Sequence, residues 1–330
     1  MIRRLLLGGI ASLLAIPIHA QDIRGTVKDL GVVTVDNALR NPTWLNLAQA
    51  RIESKWTLSE AVRLQADGRA LLRTTSAGTD DDARIDRLHL SLRKGPVEAH
   101  VGRQRINWGK TMVWNPNDVF NAYAFLDVDE EVRPSTDAVL TQVGWGVNSA
   151  VEVGATTDVA AALFRGSLGT YDVQVLAARY KEQWVLGGGW SGYVGGSGFK
   201  GEGSWFTGDG TLSLSVGADH MLANGVYLNA EVLRNGGFDG SGGAFGLLAT
   251  PPSPENLFPA PSAYMLGAGS AVHPLFSLNL AVVGAITRDL TVVMPQATVS
   301  LAEDLDLLVM GQMLRSYEMN SVFARVRWAF

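Results

Sequence analysis

From Ala48 to Trp56 the character of the side chains changes at every step. Ala48, Ala50, Ile52, Ser54 and Trp56 lie on one side of an extended chain and Gln49, Arg51, Glu53 and Lys55 on the other. The period of two returns after the turn Thr57-Leu58-Ser59-Glu60, where Val62, Leu64, Ala66, Gly68, Ala70 and Leu72 alternate with Arg63, Gln65, Asp67, Arg69 and Arg73. It returns again where Leu88, Leu90 and Leu92 alternate with Arg87, His89, Ser91 and Arg93. Successive side chains of a strand point to opposite faces, so each segment predicts a strand with one apolar and one charged face. Turn signals such as Lys94-Gly95-Pro96, Ala223-Asn224-Gly225 and His273-Pro274 cut the remaining chain into similar pieces of about nine to twelve residues.

Period two alone does not say which face meets water. The last strand decides it: Val322, Ala324, Val326, Trp328 and Phe330 share one face, Arg325 and Arg327 the other, and the chain ends on the aromatic. An alternating final strand ending in Trp328 and Phe330 resembles the signal by which outer-membrane barrels are recognised for assembly. It predicts an all-β fold, a transmembrane antiparallel up-and-down β-barrel whose apolar face meets lipid and whose charged face lines the lumen. Roughly seventeen strands follow Trp44, and a barrel with both termini on one side needs an even number. Gly25 to Val35 supplies the missing strand. The expected total is about eighteen, or about sixteen if Gly187 to Gly198 is a loop.

Arg3 and Arg4 precede an apolar run from Leu5 to Ile16 and the sequence Ile18-His19-Ala20, the pattern of a secretory signal peptide over residues 1–20. Residues 21–330 are then one barrel domain, delivered to a bacterial outer membrane. No later window is long and apolar enough for a spanning helix. With no cysteine in 330 residues, disulfides, thiolate metal sites and c-type haem attachment are excluded. The net charge of −5, about −7 without Arg3 and Arg4, argues against nucleic acid as a partner. The expected partners are outer-membrane lipid and lipopolysaccharide, the barrel assembly machinery, and a transported solute or polysaccharide. No cofactor and no metal is expected.

Two connections are too long for turns, 109–137 and 236–262, and both fall on the extracellular side if the N-terminus is periplasmic. The second, with Pro251, Pro252, Pro254, Pro259 and Pro261, reads as an extracellular surface loop. The first carries too many apolar side chains to stay in water and is expected to fold into the lumen as a constriction loop, bearing Lys110, Trp114, Asp118, Asp127, Asp129, Glu130, Glu131 and Arg133. Within it Asn115-Pro116-Asn117-Asp118 is placed to cap a short helix over Phe120 to Phe125. Opposite the loop, Arg51, Arg63, Arg69, Arg73, Arg87, Arg93, Arg103 and Arg105 are the candidate pore-lining residues. Arg103 needs a bulge near Gly102 to leave the lipid side, which it otherwise shares with Val97, Ala99 and Val101.

Charged walls of this kind set selectivity in wide pores. Alternatively, the arginines pair with acidic residues and only hold the loop. The run Asp127 to Glu131 lacks the spacing of a calcium loop. His89, His100, His220 and His273 read as wall or turn residues rather than ligands. Trp44, Trp56, Trp108, Trp184, Trp205 and Trp328 read as an interfacial girdle. A structural or assembly barrel and a lipase- or protease-type enzyme are the other readings, although the chain has no Gly-x-Ser-x-Gly elbow.

Gly102-Arg103-Gln104-Arg105-Ile106-Asn107-Trp108-Gly109, with Trp114-Asn115-Pro116-Asn117-Asp118-Val119-Phe120-Asn121 and Glu130-Glu131-Val132-Arg133-Pro134, resembles the porin-like outer-membrane proteins related to alginate-export channels. The resemblance is sharpest over residues 97–140. It implies a barrel channel with an in-folded loop and leaves the substrate open.

Overall fold

A computed structural model describes residues 21–36, 42–123, 126, 134–240, 252–315 and 319–330. The proposed signal peptide, the acidic cluster Asp127, Asp129, Glu130 and Glu131, and Arg133 lie outside the described residues. Eighteen strands follow one another, with no α-helix among the described residues between them: β1 Gln21–Asp36, β2 Thr43–Ser59, β3 Val62–Thr75, β4 Gly78–Lys94, β5 Val97–Gln104, β6 Thr136–Trp145, β7 Ser149–Ala155, β8 Val159–Leu168 and β9 Tyr171–Tyr180. The second half is β10 Gln183–Val194, β11 Ser197–Phe206, β12 Thr211–Met221, β13 Tyr227–Arg234, β14 Ser262–His273, β15 Phe276–Ala285, β16 Thr291–Ala302, β17 Leu305–Leu314 and β18 Met319–Ala329. The segment Gly187 to Gly198 is strand on both sides of a two-glycine turn, so the count is eighteen and not sixteen.

Each strand pairs antiparallel with its neighbours in sequence, and β1 closes the cylinder on β18. The seam is finished by reciprocal backbone bonds between Gly25 and Phe330, 2.7 and 2.9 Å. Closure leaves no edge strand with unpaired backbone groups, the condition for crossing hydrocarbon with strands. The protein is a transmembrane antiparallel β-barrel.

The outward face is the apolar one. Val322, Val326, Trp328 and Phe330 are exposed on the outside of β18, and Ile52, Leu72, Leu88, Val101 and Val139 occupy the same side of their strands. Trp44, Trp184 and Trp205 mark one end of the outer surface and Trp145, Trp328 and Phe330 the other, where side chains with an apolar body and a polar edge suit a membrane boundary. Trp108 departs from the girdle reading: it is buried inside the barrel.

Arg103 also departs from expectation. It pairs across the ladder with Leu88, on the outward face, and β5 keeps regular register with β4 past Gly102. The bulge lies instead on β4, where Asp67 faces Arg87 and Gly68 faces Ile85. The extra residue, Asp86, points into the lumen beside Arg87 and meets Arg51 and Arg69 there. Arg103 stays outside because Asp137, its opposite on β6, neutralises it through Nε and Nη2 at 2.9 and 2.7 Å.

The start of β1, the end of β18 and the connections after even-numbered strands share one end of the barrel, the terminal end. None of those connections exceeds the span between Met221 and Tyr227. The long connections, Gln104 to Thr136 and Arg234 to Ser262, share the opposite, loop end.

Candidate functional site

The first long connection turns into the lumen directly after β5 and lies against the inner wall. Lumen-facing carboxylates on three strands hold it. Glu231 of β13 accepts the backbone N–H groups of Met112, Val113 and Trp114 at 2.8, 3.1 and 2.8 Å, and the Ser215 hydroxyl at 2.8 Å. Glu202 of β11 accepts the Lys110 N–H at 3.1 Å and the Thr111 hydroxyl at 2.7 Å. Glu152 of β7 accepts the Trp108 indole N–H at 2.6 Å and pairs with Arg165 at 3.1 Å. A chain that leaves the ladder must find partners for its amides, and here the wall supplies them.

Neutral contacts extend the docking. Gln174 donates to the Trp108 carbonyl, Asn117 to the Gly188 carbonyl and Ser204 to the Pro116 carbonyl, each at 2.8 Å. Gly187 and Gly189 face the lumen here because the loop lies directly on them. A Cβ at Gly187 would overlap the Asn117 amide oxygen and the Ser204 hydroxyl. Thus Asn115-Pro116-Asn117-Asp118 docks against the wall, and residues 120–123 are not helical.

Two apolar clusters complete the anchorage. Ile106, Trp108 and Val119 pack with Leu163, Leu176, Val185 and Phe206 of the wall. Trp114 packs with Leu233, Ala263 and Val283, and also with Leu257 and Phe258 of the second long connection. Residues 252–261 of that connection therefore fold inward instead of forming a free surface loop. Asn235 ties it to β13 by accepting the Leu257 N–H at 3.2 Å. At the rim Glu255 takes Lys181 at 3.2 Å and Gln183 at 2.7 Å, and this contact raises the Lys181 ammonium above its ordinary value.

Trp114 and Asp118, assigned by the sequence to the constriction loop, are each 1% exposed between loop and wall. Lys110 anchors through its backbone. None of Glu152, Glu202 and Glu231 is singled out by the sequence pattern. Their available signal is a lone carboxylate on the lumen side of a strand otherwise built of small or apolar residues, as in Gly201-Glu202-Gly203.

The wall from β1 to β4 and β18 carries the basic residues. Arg51 reaches Glu53 at 3.2 Å and Asp86 at 3.3 Å, Arg69 reaches Asp86 at 3.1 Å, and Arg87 pairs with Asp67 and reaches Glu53 at 3.4 Å. Arg105, just past β5, joins them: burial first, then the guanidiniums of Arg87 and Arg51, lower it to about 10, and its Nε has no hydrogen-bond acceptor among the described residues. Among the described residues four guanidiniums thus face three carboxylates, Glu53, Asp67 and Asp86, one positive charge in excess, and these three carboxylates come from the wall itself. Lys28 and Arg325 extend the basic face onto β1 and β18. Arg63 and Arg93 lie on the lumen side towards the terminal end, and Arg73, 3.5 Å from Asp80, towards the loop end.

Below this network Ser91 lies 2.8 Å from His100 Nδ1, Glu98 lies 3.6 Å from Nε2, and His89 meets His100 edge to face. The order resembles a nucleophile, base and carboxylate. However, Ser91 sits in mid-strand, where neighbouring backbone N–H groups are committed to the ladder and cannot form an oxyanion hole. Among the described residues no group of three His, Asp or Glu side chains is placed to hold a metal ion.

No protein-family model and no curated protein sequence matches the chain. Solved structures do. OccK5 (OpdH) of Pseudomonas aeruginosa superposes with a TM-score of 0.66 at 9% identity, over 94% of this chain and 98% of that one. OccK11 (OpdR) of the same organism gives 0.64 at 13%, over 94% and 96%. A triple mutant of the Rhodopseudomonas blastica porin gives 0.52 at 12%, over 94% and 100%. Closed strand order, apolar exterior and in-folded loop together make this the fold of a porin.

Proposed function

We propose that the protein is an outer-membrane channel, exported by the signal over residues 1–20, with its terminal end in the periplasm and its docked loops narrowing the extracellular half of the lumen. Short periplasmic turns and longer extracellular loops are the usual polarity of such barrels. The cargo is anionic. The observation that carries this is the surplus guanidinium at Arg51, Arg69, Arg87 and Arg105, where Arg105 is held charged in a partly dry site without a full complement of acceptors. An anion entering the lumen relieves that cost, and a cation increases it. The resemblance of residues 97–140 to alginate-export channels supports testing a uronate polysaccharide as a member of that class.

Flux into liposomes loaded with the purified barrel tests this reading. Gluconate is expected to enter faster than sorbitol, a solute of similar size, and replacing Arg51, Arg69, Arg87 and Arg105 by Gln should remove the difference. Equal entry of the two solutes through the wild type would refute anion preference, and no entry of either would refute the channel. An oligouronate tested beside them reports whether the class extends to polysaccharide.

A further inference from the structure

Six adjacent strands, β8 to β13, present an outward face with almost no charge. Its outward positions are Ala, Val, Leu, Gly and aromatic residues, with Ser197 and His220 towards the terminal end. The two exceptions are Arg179 at the tip of β9 and Arg234 at the tip of β13, both at the loop end and both exposed. No outward carboxylate accompanies them on these strands. Elsewhere on the exterior two charges are answered from within the protein: Arg103 holds Asp137 at 2.7 Å, and Asp29 accepts the Asn46 amide at 2.9 Å. Among the described residues neither Arg179 nor Arg234 has a carboxylate partner.

The surroundings suit an anionic headgroup at a membrane boundary. The Arg179 guanidinium lies over the Trp184 ring, 5.9 Å from its centroid, which orients the planar fork while leaving its N–H groups free to donate. Trp184 and Trp205 stand on the two strands after β9, and Leu214 lies opposite Arg234 across the ladder. Four strand steps separate the two arginines, about 19 Å at the usual spacing. A guanidinium in this position binds phosphate with two parallel bonds, whereas a phosphate-free headgroup leaves it without such a partner.

We propose that Arg179 and Arg234, with Trp184 and Trp205 between them, hold the phosphate groups of a phosphorylated, acylated glucosamine glycolipid in the outer leaflet. The assignment rests on the orientation given under Proposed function, with the loop end outside. It concerns the exterior only and does not depend on whether the lumen conducts.

The test uses the full barrel in detergent micelles and native mass spectrometry. The probes are a bisphosphorylated lipid A-type glycolipid, the same glycolipid without phosphates, and phosphatidylglycerol. The wild type is expected to retain the bisphosphorylated glycolipid and to bind the other two at least tenfold more weakly. R179Q and R234Q should each weaken binding by roughly tenfold and together by roughly a hundredfold, the scale of removing one charge-assisted hydrogen-bonded pair at each site. R103Q, whose guanidinium belongs to Asp137, should bind within about twofold of wild type on the same scale. Undiminished binding by R179Q/R234Q, or equal binding of the phosphate-free glycolipid, overturns the site. Equal binding of phosphatidylglycerol overturns the choice of glycolipid. Conductance of R179Q/R234Q in phosphatidylcholine bilayers should match wild type, which shows that the variant is folded. A wild type that binds glycolipid but carries no current would defeat the channel reading and leave this one standing.

Discussion

Glu231→Gln isolates the strongest anchor of the in-folded loop. The native carboxylate is 1% exposed and accepts three consecutive backbone N–H groups and one hydroxyl, at 2.8 to 3.1 Å. Glutamine keeps the shape but removes the charge and turns one acceptor oxygen into a donor that faces the N–H groups of the loop. With about 1.5–3 kcal/mol for each bond to a charged acceptor, one bond removed outright and the others weakened, docking of residues 110–114 should lose about 3–5 kcal/mol. The undocked population of that stretch then rises by a factor between roughly a hundred and several thousand. Glu202 and Glu152 still hold the flanking residues, so the loop loosens locally without leaving the lumen. Single-channel recording in planar bilayers should show frequent brief transitions between current levels, absent from wild type. Added protease should cut between Lys110 and Trp114 faster, while the barrel keeps its heat-modifiable migration. Steady current and unchanged cleavage would show that Glu231 does not hold the loop.

Arg105→Ala should shift the reversal potential in a KCl gradient towards cations, and by more than Arg63→Ala or Arg73→Ala, because those two are solvated near the ends of the lumen. Equal shifts would contradict the placement of the selectivity region. Arg105 is lowered to about 10 by burial and by its neighbours Arg87 and Arg51, yet a base with that value remains protonated at neutral pH. Its contribution to anion preference should therefore be flat from roughly pH 6 to 9 and should fall only as pH passes its own value; a loss near pH 7 would implicate another group. Trp114→Ala empties a site 1% exposed between two loops and the wall, and should cost about 3–5 kcal/mol in denaturant unfolding; a loss under about 1 kcal/mol would show that the cluster is not tightly packed. Gly187→Val places methyl groups where Asn117 docks and should reproduce the current fluctuations of Glu231→Gln without altering any charge.

The barrel is largely legible in the sequence because every strand faces two solvents, and the period of two records both. The final strand orients the pattern, and the requirement for an even count places the first strand at Gly25 to Val35, inside the observed β1. Strand alternation also puts Arg51, Arg69 and Arg87 in the lumen. Their partners are less accessible. Asp86 and Arg87 are consecutive yet point the same way, because one residue is inserted in the ladder, and a bulge cannot be read from alternation that it breaks. Arg103 shows the converse. Alternation places it outside, the cost of a charge in lipid argues for moving it in, and the neutralising Asp137 comes from the next strand, 34 residues further on. What covers Trp114 and Asp118 in the in-folded loop is not visible along the chain, because the partners are distant in sequence; Glu231 lies 117 residues beyond Trp114. Pattern identifies which face a strand residue takes. It does not identify what an irregular segment rests on.

Everything proposed for the lumen depends on its passing ions and favouring anions through the Arg51, Arg69, Arg87 and Arg105 wall. The zero-current potential of the wild-type barrel in a planar bilayer under a tenfold KCl gradient measures both at once. Conductance is expected, with a potential of the sign that marks chloride as the more permeant ion, reduced when the four arginines become glutamine. Conductance with cation preference, or no conductance at all, would contradict this reading.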